Sequence, residues 1–288
     1  MKPSPSSSAT MDRSRIEALV RSTLKDLGDA RAERPLPTGA AVLLGADRGT
    51  NLGSAYDPNV MKTMLAATPA RIGVGRVGSR YRTNTLLRFR ADHAAAKDAV
   101  LSEVDEKLLA RLGFVELSTR AVDKKTFLVR PDAGRVLSEE GQKTLAEKCV
   151  RAPQLQIVYG DGLSAAAINT NLEAFHAAFV RAAASRGLTL GTPIFVRRSR
   201  VKVMDQIAQL IDAEACAFVC GERPGLGFSD SLSAYYIYRP KTGATDADRE
   251  VISNINPRGL DPVKGADALA DACARVLRDK KSGVAYGA

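Results

Sequence analysis

Strand and helix patterns alternate along residues 151–288, and this alternation restricts the possible folds more than any other feature of the sequence. Short apolar runs typical of buried strands begin at Leu155, Pro193, Ala215 and Leu232. Segments of helical period lie between the first three runs, and another helix is expected at about 262–277. Strands that alternate with helices usually pair in parallel through right-handed crossovers. The pattern therefore predicts an α/β fold with a Rossmann-like, largely parallel sheet.

The first 150 residues are expected to form an N-terminal extension and a smaller, mainly helical domain. Residues 1–28 combine a polar, disordered start with one amphipathic helix, and residues 29–67 have the Ala, Gly and Pro content of a linker. Residues 68–150 are expected to be mainly helical, with a short strand at 125–131. The apolar stripe of the N-terminal helix is Ile16, Leu19, Val20, Leu24 and Leu27, and such a helix is either a docking peptide or a packed arm. A second helix, from about Thr83 or Thr85, is expected to bury Leu86, Leu87, Ala91, Ala94 and Leu101.

The chain is basic, with 42 Lys and Arg against 32 Asp and Glu and a formal charge of +10. Such an excess suits nucleic acid, an acidic partner protein or a phosphate-bearing cofactor. Trp is absent and aromatic residues are only 5%, which is few for a protein that stacks on bases. An arginine cluster is either a solvated face or an interface to acidic groups, and nucleic acid stays open as its partner. Its members are Arg71, Arg76, Arg80, Arg82, Arg88 and Arg90.

Several classes of site and location are disfavoured by what the sequence lacks. No apolar run approaches the roughly 18 to 20 residues of a membrane helix, and the N-terminus does not resemble a secretory signal. Four cysteines in 288 residues fit a reducing cytoplasm better than a disulfide framework. Neither His93 nor His176 has nearby partners at the spacing of a metal site or a Ser-His-Asp triad. We expect a structural or surface role for His93 and core packing for His176. A chain with no visible catalytic set is expected to depend on a partner for its chemistry.

Two glycine-rich segments could bind a ligand. GVGRVG, at 73–78, has the dinucleotide spacing, but it lacks a strong preceding strand and a clean following helix. An oxidoreductase that binds NAD(P) there is one alternative function, and a basic nucleic-acid-binding protein is another. GERPGLG, at 221–227, directly follows a predicted buried strand, where ligands of parallel sheets collect. The loops GDGLS and RRSRVK, after the strands at 155 and 193, are expected at the same edge.

A set of motifs resembles the light (small) subunit of ethanolamine ammonia-lyase. The most specific block is GERPGLG, SLSAY, YRP and ISNI between residues 221 and 255, and GDGLS, GTP-FVR, RVK, RPDAGR and LLRF-ADH agree with it. The resemblance runs from about residue 68 to residue 283. It implies an ammonia-lyase that is active only with a large subunit. In that family adenosylcobalamin lies between the two chains, and the large chain holds ethanolamine during radical conversion to acetaldehyde and ammonia.

The resemblance also implies the cofactor contacts and partners of this chain. The small chain covers the cofactor's lower face and nucleotide tail, so residues 151–288 become a cobalamin-covering domain. The family's contacts fall on Val201, Glu222 and Val251, the last where the family pattern has cysteine, and no catalytic or metal-binding residue is expected. The partner is the large subunit, in a hetero-oligomer, with neither nucleic acid nor membrane. The N-terminal helix resembles a family leader that docks on a shell or cargo protein, which implies the cytoplasm or a bacterial microcompartment.

Overall fold

Most of the structure before residue 115 is helical. The computed structural model describes residues 52, 55–68 and 70–286, so the predicted N-terminal helix and most of the predicted linker lie outside the described residues. In α1 the carboxylate of Asp57 accepts hydrogen bonds from the first backbone N–H groups, and proline occupies the first turn. The elements are α1 (Pro58–Ala67), β1 (Arg76–Val77), β2 (Arg80–Tyr81), α2 (Thr83–Leu101) and α3 (Glu106–Leu112).

A six-stranded mixed sheet organises the rest of the described chain. Its strands are β3 (Val115–Ser118), β4 (Leu155–Gly160), β5 (Ile194–Arg197), β6 (Ala215–Gly221), β7 (Leu232–Tyr238) and β8 (Glu250–Ile255). Their order across the sheet is β3-β5-β4-β6-β7-β8. The first four strands in this order are parallel to one another, whereas β7 is antiparallel to both β6 and β8. The protein therefore has an α/β fold with a mixed sheet.

Helices cover both faces of this sheet. The helices after residue 115 are α4 (Lys124–Val129), α5 (Glu139–Lys148), α6 (Ala165–Ser185), α7 (Val203–Ile211) and α8 (Pro262–Asp279), and the last four pack on the sheet. On the first face, residues of α6 and α8 join a core that includes the fully buried Phe175, Phe179 and Leu269. On the second face, α5 and α7 pack against alternate residues of the same strands, including Phe218. Because β4 and β6 are buried on both faces, their sequences are continuously apolar rather than alternating.

The strands and helices predicted after residue 151 are confirmed, but the sheet is less parallel than expected. No helix lies between β6 and β7, and a connection of ten residues, 222–231, is long enough only to turn the chain back. As a result β7 runs antiparallel to β6. Two strands of the main sheet were not predicted: β3, which comes from the region expected to be mainly helical, and the edge strand β8.

Two local predictions before residue 151 are wrong. The expected strand at 125–131 is the helix α4, because the carboxylate of Asp123 accepts a hydrogen bond from the backbone N–H of Thr126 at 2.7 Å and starts a helical turn. The expected buried stripe of α2 is also wrong: Leu86, Leu87 and Leu101 are 41%, 56% and 50% exposed. The remaining residues of that stripe, Ala91 and Ala94, are exposed as well. The helix instead buries Thr85, Asp92, Ala96 and Ala99.

Candidate functional site

The loops after β4, β5 and β6 meet at the carboxyl edge of the parallel strands, as the sequence predicted. The Asp161 carboxylate accepts hydrogen bonds from the backbone N–H groups of Arg198, at 2.8 Å, and Ser199, at 2.9 Å. The backbone N–H of Leu163 donates to the carbonyl of Gly221 at 3.0 Å. These contacts join GDGLS to RRSRVK and to GERPGLG. The three loops therefore form one continuous surface.

Asp161 is the buried carboxyl group of this surface, with 3% of the residue exposed. Burial raises the pKa of this carboxyl group, and the hydrogen bonds from Ser199 and Arg198 act in the opposite direction. Because its partners are backbone groups, Asp161 fixes the path of the loop after β5. We assign it a positioning function rather than an acid–base one.

Glycine is required where these loops touch. A Cβ atom on Gly221 would lie 2.2 Å from the carbonyl oxygen of Ser164, and one on Gly162 would lie 2.4 Å from the carbonyl oxygen of Gly221. Gly162 also has a φ of +55°, a conformation that L side chains rarely adopt. By contrast, a Cβ atom on Gly227 would have its nearest neighbour 3.9 Å away. The beginning of GERPGLG is thus fixed by backbone packing, and its far end has open space.

Glu222 ties the loop to the antiparallel part of the sheet. Its Oε1 accepts hydrogen bonds from the hydroxyl of Ser233 on β7, at 2.6 Å, and from the backbone N–H of Asn254 on β8, at 2.7 Å. Its own backbone N–H donates to the carbonyl of Ser231 at 2.9 Å. The side chain is half-buried. Glu222 is therefore a structural bridge as well as a candidate ligand contact.

Val201 and Val251 lie on the same face of the sheet. Val201, in the loop after β5, packs against the second core together with Tyr235 of β7. Val251 is directly opposite Tyr235 in the β7–β8 register, and opposite residues of paired strands project to the same face. Val251 is 47% exposed. Since Ser233 is two positions from Tyr235, the hydroxyl that binds Glu222 is on this face too. The three predicted contact residues therefore share one face.

Cationic side chains surround this part of the edge. The guanidinium of Arg200 stacks over Phe127, 4.3 Å from the ring centroid, and its Nη2 donates to the carbonyl of the same residue at 3.1 Å. Burial lowers the pKa of Arg200, and the neighbouring charges of Arg223 and Arg135 lower it further. Arg135 and Lys202 also line a cleft of about 310 Å³, together with the carboxylate of Asp205. The chemistry available here is recognition of an anionic group next to an apolar surface.

The other glycine-rich motif lacks the structure of a dinucleotide site. GVGRVG contributes Arg76–Val77 to a two-stranded hairpin with Arg80–Tyr81, and among residues 52, 55–68 and 70–72 no strand precedes it. The fingerprint needs a strand, a tight turn and a helix that opens on the phosphates. The hairpin therefore supplies no support for NAD(P) binding at residues 73–78.

The histidines and cysteines have structural surroundings. Nδ1 of His176 is hydrogen-bonded to the buried Tyr159 hydroxyl at 2.8 Å, and His93 is exposed on α2. All four cysteines are free and buried, and burial raises the pKa of Cys149 to about 11 and that of Cys273 to about 12. Such thiols stay protonated and poorly reactive. Within residues 52, 55–68 and 70–286, no group of three or more His, Cys, Asp and Glu side chains could hold a metal ion.

Sequence reasoning missed three residues that build this site. Ser233 and Asn254 hold Glu222, and both depend on the antiparallel register of β7 and β8, which the sequence pattern did not indicate. Arg200 was missed although it directly precedes Val201 in the RVK motif. That adjacency is a signal that could have identified it.

Two comparisons with known proteins agree with this architecture. The family model described as "Ethanolamine ammonia-lyase light chain (EutC)" matches residues 58–286. The chain is also 44% identical over 236 residues to the ethanolamine ammonia-lyase small subunit of Clostridium acetobutylicum, a match that covers 81% of this chain and 98% of that protein. The matched region includes the three loops, the hairpin and every strand of the main sheet. This chain therefore belongs to the ethanolamine ammonia-lyase light-chain family.

Proposed function

We propose that this chain is the small subunit of an adenosylcobalamin-dependent ethanolamine ammonia-lyase and that it covers the lower face and nucleotide tail of the cofactor. The observation that carries the proposal is the placement of Val201, Glu222 and Val251. All three lie toward one face of the sheet, around the loops where ligands of parallel sheets bind. The face is apolar at the two valines and polar at Glu222, which suits a large cofactor with an apolar rim and amide side chains.

The residues present fit such a cofactor in charge as well as in shape. The cationic side chains of Arg135 and Lys202 line a cleft next to Val201, which suits the phosphate of such a cofactor. Adenosylcobalamin supplies the radical chemistry that converts ethanolamine to acetaldehyde and ammonia. The part of this chain is to bind and orient: the valines exclude water, and Glu222 holds the glycine loop against β7 and β8. The large subunit holds the substrate.

Contact with the large subunit is assigned to a basic segment, residues 58–91. This segment contains one Lys and six Arg and no Asp or Glu. It also exposes large apolar side chains; Val77 is 68% exposed and Leu87 56%. An exposed surface that is both apolar and uniformly positive suits a partner with an apolar, acidic surface. Charge reversal at Arg80 and Arg82 should weaken association with the large subunit, whereas reversal at the exposed Arg181 of α6 should not.

Reconstitution tests the proposed enzymatic function. Ethanolamine should yield acetaldehyde and ammonia only when this chain, the large subunit and adenosylcobalamin are all present. Val251→Arg should raise the cofactor concentration needed for half-maximal activity. The ethanolamine concentration needed for half-maximal activity should stay unchanged. Val263→Arg is the matched control, because Val263 is 48% exposed against 47% for Val251 but lies on α8, which covers the other face. Equal activity from the large subunit alone would refute the proposal.

The cellular location is proposed to be the cytoplasm or a bacterial microcompartment. None of the helices within the described ranges is long and apolar enough to cross a membrane. The predicted docking helix lies outside the described residues, so its role is argued from its sequence pattern alone. Deleting residues 1–28 should abolish loading into compartments and preserve activity of the assembled enzyme. Normal loading of the truncated chain would rule out the docking role.

A further inference from the structure

A buried ion pair links helix α7 to the strand at the edge of the sheet. The carboxylate of Asp205, in the first turn of α7, accepts hydrogen bonds from Nη1 of Arg249 at 3.3 Å and from Nη2 at 3.0 Å. Only 5% of the Asp205 side chain and 2% of the Arg249 side chain are exposed. Arg249 directly precedes β8. Because two parallel hydrogen bonds fix both the separation and the orientation of such a pair, the start of β8 is fixed relative to α7.

Helix α7 holds the connection between β7 and β8 at two points. The first is Arg249, whose Nε also donates to the carbonyl of Thr245 within the connection at 3.2 Å. The second is Gln209, one helical turn after Asp205 on the same side of α7. Oε1 of Gln209 accepts hydrogen bonds from the backbone N–H of Thr242 at 2.9 Å and from its hydroxyl at 2.6 Å. The contact at Gln209 is exposed, whereas the contact at Asp205 is buried.

The start of β8 has few other contacts that would hold it. Among the described strands β8 pairs with β7 alone, and only the last of its six residues is buried. Glu222 holds the far end of the strand. At the start, the carboxylate of Glu250 accepts hydrogen bonds from the Tyr236 hydroxyl and the backbone N–H of Gly283, on the first face of the sheet. Weakly buried segments open at low free energy, so on the second face the start of β8 depends on Arg249.

The two members of the ion pair are close in sequence to two predicted contact residues. Val201 is joined to the start of α7, because the backbone N–H of Met204 donates to its carbonyl at 3.1 Å, and Asp205 is the next residue. Arg249 has an extended backbone, and Val251, two positions later, projects to the same face. The ion pair therefore joins the segment of Val201 to the segment of Val251.

We infer that Asp205 and Arg249 are positioning residues, which hold Val251 at a fixed separation from Val201. The inference rests on the proposed function for the identity of the ligand that these valines contact. Replacement of a buried ion pair by apolar side chains of similar volume is often neutral for stability, so the contribution of this pair is its geometry. A surface that is already ordered before binding loses less conformational entropy when the ligand arrives.

The first arm of the test measures cyanocobalamin binding to the complete complex with the large subunit by equilibrium dialysis. Arg249→Lys keeps the charge but not the two parallel hydrogen bonds, and it should raise the dissociation constant about three- to tenfold. The ethanolamine concentration for half-maximal activity should stay unchanged. The double variant Asp205→Leu/Arg249→Met should be more stable than Asp205→Ala but bind no better than Arg249→Lys. Native affinity in either variant would overturn the inference.

Two control variants separate positioning from a general loss of stability. Leu269→Ala removes a fully buried side chain on the other face of the sheet, so it should destabilise the chain and leave the cyanocobalamin dissociation constant unchanged. Gln209→Ala removes the exposed contact between α7 and the same connection and should leave binding close to native. If Leu269→Ala weakened binding as much as Arg249→Lys, loss of stability alone would explain the effect and the inference would fail.

The second arm measures amide hydrogen exchange of the full chain alone, without cofactor. In Arg249→Lys, exchange at residues 250–252 and 201–205 should be faster than in the native chain, and exchange in β4 should not change. Unchanged exchange at both segments would overturn the anchoring of β8. Faster exchange with native cyanocobalamin affinity would overturn the positioning role and leave the proposed function standing. A native complex that binds no cyanocobalamin would reject the proposed function, and the exchange rates would still decide whether the ion pair anchors β8.

Discussion

Replacement of Glu222 tests whether the glycine loop is positioned by the sheet. The carboxylate receives two short hydrogen bonds, 2.6 Å from the Ser233 hydroxyl and 2.7 Å from the backbone N–H of Asn254. Both go to the same oxygen, Oε1. Glu222→Ala removes this acceptor and leaves two donors on neighbouring strands without it. Glu222→Gln keeps an oxygen acceptor of the same reach but removes the negative charge.

The expected loss of stability follows from the type of hydrogen bond. A hydrogen bond to a charged group contributes about 1.5–3 kcal/mol, and a neutral one about 0.5–1.5 kcal/mol. Because Glu222 is half-buried, water can replace part of the lost interaction. We therefore expect Glu222→Ala to lower the free energy of unfolding by about 2–3 kcal/mol and Glu222→Gln by about 1 kcal/mol.

Urea unfolding of the full chain measures these losses, and equilibrium dialysis of the assembled enzyme measures cobalamin binding. Glu222→Ala should raise the cobalamin dissociation constant more than it changes the ethanolamine requirement, and Glu222→Gln should have an intermediate effect. A stability equal to that of the native chain for Glu222→Ala would refute the bridge. A changed ethanolamine requirement with unchanged cobalamin binding would place the loop away from the cofactor.

Three further predictions concern the loop and the core. Gly221→Ala should destabilise the chain by at least about 1–3 kcal/mol, the usual cost of overpacking, because its Cβ would meet fixed backbone. Gly227→Ala should be tolerated, because its Cβ has open space. Equal urea unfolding midpoints for these two variants would contradict this reasoning. Burial lowers the pKa of His176 below its ordinary value of 6.5, so the unfolded chain binds the proton more tightly than the folded chain. The stability of the folded chain should therefore fall as the pH drops from about 6.5 through the lower folded-state pKa. Calorimetry should show that His176→Gln removes this pH dependence. Asp205→Ala should lower the free energy of unfolding in urea by about 3–5 kcal/mol, because it leaves the buried guanidinium of Arg249 without its bidentate partner. A loss below about 1 kcal/mol would show that water reaches the guanidinium of Arg249.

The carboxyl edge of the sheet could be predicted from the sequence because it follows from a local pattern. Continuous apolar runs at β4 and β6, each followed by glycine-rich loops, identify buried parallel strands and their ligand-binding ends. The contacts within the edge could not be predicted. Glu222 meets Ser233 and Asn254 only because β7 turns back on β6 and β8 pairs with β7, and β8 is an edge strand with a single buried residue, Ile255.

Errors before residue 151 arose where single residues override the pattern. The apolar residues from Phe127 to Val129 favour a strand by composition. They lie in a helix instead, because Asp123 caps the helix at its N-terminus. In α2, the prediction that the leucines are buried used the helical period alone. The structure instead turns Ala96, Ala99 and Asp92 inward, because small side chains allow a close approach and Asp92 pairs with Arg71. Tertiary contacts of this kind are absent from any local window of the sequence.

The contact of Arg71 with the glycine loop has a thermodynamic consequence. Nη2 of Arg71 donates to the Asp92 carboxylate at the base of the basic segment and also to the carbonyl of Leu226 within GERPGLG. One guanidinium thus joins the surface assigned to the large subunit with the loop assigned to the cofactor. Events at two joined sites share a coupling free energy, and this coupling is reciprocal. Under the proposed function, subunit association should therefore change the affinity for the cofactor by the same factor by which the cofactor changes the affinity of association.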